Sequence, residues 1–136
     1  MARIMAIDYG TKRVGIAVTD PLQIIAKALT TVDAIKIFDW LKEYFKAEEV
    51  ELVLVGYPLG LNGEPTNATP FVDRFISQFQ KQFPNKELLT RDEAFTSKMA
   101  MKVLIDSGVK KKERRNKALL DQTSAAIILQ EYLQNL

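Results

Sequence analysis

Acidic side chains stand at three places where apolar runs of this chain stop. Asp8 follows the run "IMAI" and precedes a short turn, "YGTKR", that leads into a second apolar run, "VGIAV". Asp92 and Glu93 follow a third run within "LLTRDEAFTS", and Asp121 lies early in "LLDQTSAAIILQEY". A turn needs Gly10; it does not need a carboxylate where the run leaves the core. Asp121 is equally out of place. Helical spacing sets it on one face with Ala125, Ile128, Leu129 and Tyr132, and acids on a core-facing stripe are rarely left unpaired.

Clustered carboxylates repel one another, so they bind a proton, pair with a cation or hold a metal. The chain contains no histidine and no cysteine. That excludes Ser-His-Asp and Cys-His machinery, a histidine base, a thiolate or imidazole zinc site, and disulfides. Oxygen-only ligands select Mg²⁺ or Mn²⁺. Two such ions about 4 Å apart form a clamp for in-line displacement at a phosphodiester.

The elements that must position these acids follow from hydrophobic periodicity. Residues 3–8 and 13–19 read as strands of a hairpin, and 24–32 as a third strand after the Asp20-Pro21 break. Asp33 is placed to cap a helix whose apolar face is Ala34, Ile37, Phe38, Leu41 and Phe45. The continuous apolar run 51–56 suits a strand covered on both faces. A long loop, 57–68, precedes a helix opened by Thr69-Pro70, with the stripe Val72, Phe75, Ile76, Phe79 and Phe83. A weaker strand over 86–90, a helix over Ser97–Ser107 stopped by Gly108, and a helix over 117–135 complete the order. The reading is β-β-β-α-β-α-β-α-α: an α/β fold with a mixed five-stranded sheet, three strands in an antiparallel meander plus two parallel strands, flanked by about four helices. In open sheets of this kind ligands collect at the carboxyl ends of the strands. Asp8 and the Asp92-Glu93 pair stand there.

Charge is unevenly placed. The chain carries a net +2, yet "KKKERRNK" at 110–117 holds six bases and one acid, leaving the rest of the chain acidic. That segment favours a local polyanion contact. The 136 residues, 47% hydrophobic and 26% charged, suit one domain, 1–136, with a real core. The N-terminus begins directly in a strand pattern without a signal sequence, and no apolar run approaches bilayer length, so a cytoplasmic protein is expected.

Four blocks together carry a family resemblance. "DYGTKRVGIAV", "VGYPLGLNG", "DEAFTSKMA" and "DQTSAAIIL" stand in the order, and across the chain length, of the YqgF family of pre-16S rRNA nucleases and Holliday-junction resolvase-like proteins. The resemblance implies a ribonuclease H-like fold and a Mg²⁺- or Mn²⁺-dependent nuclease on structured nucleic acid, precursor ribosomal RNA or branched DNA. It selects Glu93 over Asp92, so that Asp8, Glu93 and Asp121 are the implied catalytic and metal-holding acids. Ala94 stands where the family usually has arginine, which would weaken substrate binding or shift the work to Arg91 or Arg13.

The remaining motif residues have assigned roles and competing bland ones. Gly10, Thr11, Gly56, Pro58 and Gly63 shape loops beside the site. Lys12, Arg13, Arg91, Lys110, Lys111, Lys112, Arg114, Arg115 and Lys117 are candidate phosphate contacts; Asp121 alternatively pairs with Lys117 one turn earlier. Thr96 and Ser97 read as helix-capping hydroxyls. Trp40, Phe45, Phe75 and Phe79 are assigned to packing. Two other classes compete with the nuclease: a non-catalytic RNA-binding module of ribosome assembly, and a phosphate-binding ATPase, which would need a second domain. Oligomeric state is open between monomer and weak dimer.

Overall fold

The computed structural model describes residues 2–59, 62–92, 102–103, 105–106, 108, 110 and 116–135. Strands β1 (Arg3–Tyr9), β2 (Arg13–Thr19) and β3 (Ala26–Asp33) form the antiparallel meander. A 3-10 turn (Ala34–Lys36) leads into helix α1 (Ile37–Ala47) and strand β4 (Val50–Tyr57). Helix α2 (Thr69–Gln82), strand β5 (Glu87–Asp92) and helix α3 (Lys117–Gln134) follow. Sheet order is β3-β2-β1-β4-β5, with β4 parallel to both β1 and β5. The mixed five-stranded sheet expected from the periodicity is the one formed.

The central strands β1, β2 and β4 are buried on both faces, and the two faces differ in side-chain size. On one, Met5, Ile7, Val14, Ile16, Val53 and Val55 meet the apolar stripes of α1 and α2, whose Leu41, Phe75 and Phe79 are fully buried. Each such aromatic contributes roughly 1.5–3 kcal/mol through burial. On the other, Ile4, Ala6, Ala17, Leu52 and Leu54 meet Ala125, Ile128 and Leu129 of α3. The alanines there let the helix lie close to the strands.

Three expectations change in detail. Three α-helices have both ends among the described residues, against the four or so expected. Of the helix expected over Ser97–Ser107, the described Lys102, Val103, Ile105 and Asp106 are helical and Gly108 takes φ +77°; the other positions lie outside the described residues. Asp33 does not cap α1: it pairs with Arg13 as the last residue of β3 and makes no side-chain cap. The third strand begins at Ala26, because Asp20 accepts the Ile24 and Ile25 amides at 2.8 Å and holds both in a turn. Among the described residues no helix is long and apolar enough to cross a membrane.

Candidate active site

Strand alternation puts Asp8, next to last in β1, on the face that Ile4 and Ala6 turn toward α3. Its cross-strand partner is Gly15. A Cβ on Gly15 would lie 2.1 Å from the carbonyl oxygen of Asp121 and 2.7 Å from the Gln122 amide nitrogen. The backbone of α3 therefore rests on β2 with no side chain between them. This contact carries Asp121, from the far end of the chain, to the strand pair that bears Asp8.

The start of α3 is fixed independently. The Asn116 side chain caps it, accepting from the Ala118 amide at 3.0 Å and the Leu119 amide at 3.4 Å. Thr31 of β3 donates its hydroxyl to the Ala118 carbonyl at 2.6 Å. Neither residue was singled out from sequence, although an Asn directly before an apolar helix is a readable cap. Gly15 was also overlooked; its signal is the small-residue alternation of Gly15 with Ala17 in β2.

Arg13 Nε donates to Asp121 Oδ2 at 3.0 Å, with the side chains 34% and 25% exposed. The expected Lys117 partner is thereby replaced. Lys117 is exposed at the helix start and adds only its charge, while Arg13 projects from the strand under the helix. Burial raises the Asp121 carboxyl above its ordinary range; the Arg13 bond, the Arg13 charge and the Lys117 charge oppose that shift.

The other expected residues divide clearly. Gly10 is required by its turn: its amide donates to the Arg13 carbonyl at 2.9 Å, and a Cβ would lie 2.6 Å from that oxygen. Thr11 and Lys12 are exposed on the turn, and the Lys12 carbonyl accepts from the Ala34 amide at 3.0 Å. The Pro58 carbonyl accepts from the Thr69 hydroxyl at 2.6 Å and the Thr66 hydroxyl at 3.1 Å, tying the loop after β4 to the start of α2. Gly63 takes φ +81° in that loop, and Gly56 is buried in β4. Lys110 and Lys117 are exposed, and exposed Arg91, next to last in β5, lies over the ring of Tyr132. Glu93, Ala94, Thr96, Ser97, Lys111, Lys112, Arg114 and Arg115 lie outside the described residues.

The donor chemistry fits a hard divalent ion. Asp8 and Asp121 offer carboxylate oxygen on one face of the sheet, and a nearby cation would relieve the burial penalty on Asp121. Among the described residues no set of three acidic, histidine or cysteine ligands is assembled; the expected third acid is Glu93.

Comparison with known proteins agrees over the whole chain. A family model described as RuvX, Holliday junction resolvase, matches residues 2–135. A Flavobacterium psychrophilum protein named "Putative pre-16S rRNA nuclease" is 52% identical over 133 residues, covering 98% of this chain and 97% of its own. A Bacteroides fragilis protein of the same name is 45% identical over 134 residues, covering 98% and 97%. Among solved structures, T. thermophilus RuvC in complex with a Holliday junction substrate aligns with TM-score 0.58 and 15% identity over 99% of this chain and 95% of that one. At that identity the likeness is one of fold.

Proposed function

This chain belongs to the RuvX family of Holliday junction resolvases, and from that premise we propose that it is a divalent-metal-dependent nuclease acting on structured nucleic acid. Its principal reaction is 5′-end processing of precursor 16S rRNA in the cytoplasm, carried out by one domain spanning 1–136. What supports the reading is that the backbone of Asp121 packs on Gly15, the cross-strand partner of Asp8. The names of the relatives favour the ribosomal substrate, and the name of the family keeps a four-way DNA junction as a second one.

Asp8, Glu93 and Asp121 would hold Mg²⁺ or Mn²⁺. The bound ion supplies a Lewis acid at the phosphodiester and an activated water as nucleophile. The chain's own side chains do the rest. Arg13 neutralises Asp121 in the resting protein, and its remaining N–H groups are donors for a phosphate oxygen. Lys12, Lys110, Lys111, Lys112, Arg114, Arg115 and Lys117 attract the sugar-phosphate backbone without reading sequence. Gly10, Thr11, Gly56, Pro58 and Gly63 shape the loops that border the strand ends. With no histidine in the chain, no imidazole takes the proton from the attacking water.

The test is direct. Purified protein is incubated with Mg²⁺ or Mn²⁺ and either a precursor 16S rRNA fragment or a four-way DNA junction, with Asp8→Asn as control. Metal-dependent cleavage that Asp8→Asn lacks is the expected result. Salt-sensitive binding of both substrates with no cleavage in either metal would instead establish a binding module.

A further inference from the structure

We propose that Arg91 and Tyr132 form a second phosphate-holding subsite, beside the acids, that grips the nucleic-acid strand one step away from the bond to be cut. This rests on the nuclease reading above and adds where the strand runs.

The sheet register carries the inference. Ile7 pairs with Val55, so continuing the parallel register by one residue sets Asp8 beside Gly56, and Gly56 pairs with Arg91. With Gly15 on its other side, Asp8 lies in a row of four strands: Gly15, Asp8, Gly56, Arg91. All four face α3. Leu52 and Leu54 set that parity for Gly56, and contact with Tyr132 sets it for Arg91. The two glycines flanking Asp8 thus do different things. Gly15 admits the backbone of α3; Gly56 places no side chain between Asp8 and Arg91. The gap spans two interstrand spacings, about 10 Å between backbones, so a strand held at Arg91 would pass within one or two nucleotides of Asp8.

Arg91 is built for this use. It is exposed, yet its guanidinium carbon sits 4.9 Å from the centroid of the Tyr132 ring. Among the described residues no carboxylate pairs with it. Stacking holds the guanidinium plane in place while leaving its edge for a bidentate phosphate contact. The two residues line a cleft whose floor includes Ile128, and the exposed acids Asp92 and Glu131 also line it. Glu131 works against an anion there, which supplies an electrostatic control.

The experiment measures metal-free binding of a fluorescein-labelled four-way DNA junction and a labelled precursor 16S rRNA fragment across a salt series. Arg91→Gln should weaken binding about tenfold and reduce the slope of log affinity against log salt by about one. Tyr132→Leu should show part of that loss and Tyr132→Phe should restore it, since phenylalanine keeps the ring face. Glu131→Gln should bind more tightly. In cleavage assays Arg91→Gln should raise KM and leave kcat near wild type. Wild-type affinity and salt slope in Arg91→Gln would overturn the subsite while leaving the nuclease reading standing. Wild-type protein that binds neither probe would overturn both.

Discussion

Gly15 and Asp121 are backbone neighbours: the position of a Cβ on the first is 2.1 Å from the carbonyl oxygen of the second. The approach of the last helix to the sheet therefore depends on a missing methyl group. Gly15→Ala must push α3 away from β2 at the point where the Asp121 backbone lies against the cross-strand partner of Asp8. Overpacking of this kind costs about 1–3 kcal/mol. Chemical denaturation should show a loss near the upper end of that range, and cleavage should fall at least tenfold in protein that is still folded.

Asp121→Asn separates activity from stability. Burial raises the Asp121 carboxyl, so the folded state binds its proton more tightly than the unfolded chain does. By linkage, stability then falls as pH rises from the ordinary carboxylate value through the raised one, and at pH 7 the ionised group weakens the metal-free fold. The variant should abolish cleavage while its denaturation midpoint at pH 7 is no lower than wild type. A clearly lower midpoint would show that the Arg13 pair outweighs burial.

Arg13→Gln removes the guanidinium from Asp121. The pair is partly exposed, with side chains 34% and 25% accessible, so its contribution to stability is about 1 kcal/mol or less. The effect belongs in the chemistry. We expect kcat/KM to fall about 10- to 100-fold with a thermal midpoint within a few degrees of wild type. A large drop in that midpoint with unchanged kcat/KM would make the arginine structural.

Chelation should silence the enzyme reversibly. EDTA is expected to stop cleavage, Mg²⁺ or Mn²⁺ to restore it, and Ca²⁺ to restore it poorly because its larger, looser coordination suits a positioned phosphodiester less well. Cleavage that survives exhaustive chelation would remove the metal from the reaction.

Asp20 gives an acid-sensitive turn far from the acids. Its carboxylate accepts the Ile24 and Ile25 amides at 2.8 Å, and the Ile25 bond leads the causes that lower it from the ordinary 3.8. A depressed folded value means the contribution is complete above pH 3.8 and is lost as pH falls below it. The stability gap between wild type and Asp20→Ala should be constant from pH 5 to 7 and shrink on acidification beneath the ordinary carboxylate value. A gap independent of pH would mean the turn does not use the charge.

Local pattern carried much of the architecture. Alternation in β1 and β2, the continuous apolar run of β4 and the stripes of α1 and α2 are written within short windows, where period 2 and period 3.6 differ plainly. The failures were also local in origin. Ile24 and Ile25 look like strand residues because they are β-branched, but the Asp20 carboxylate claims their amides and Gln23 takes φ 60°. Asp33 looks like a cap, but the ladder with β2 extends far enough to keep it paired with Arg13.

The site divides in the same way. That Asp8 and Asp121 stand where carboxylates are not needed for folding, and that an enzyme without histidine must work through carboxylates, hydroxyls, lysines, arginines or a bound metal, was readable from residue types and spacing alone. Which acid meets which cation was not. Lys117 is four residues from Asp121 and Arg13 is more than a hundred, yet Arg13 holds the bond. The partner depends on how closely a helix approaches a strand, and a single absent side chain at Gly15 sets that approach. Sequence periodicity reports the face on which a residue lies; only packing decides what lies opposite.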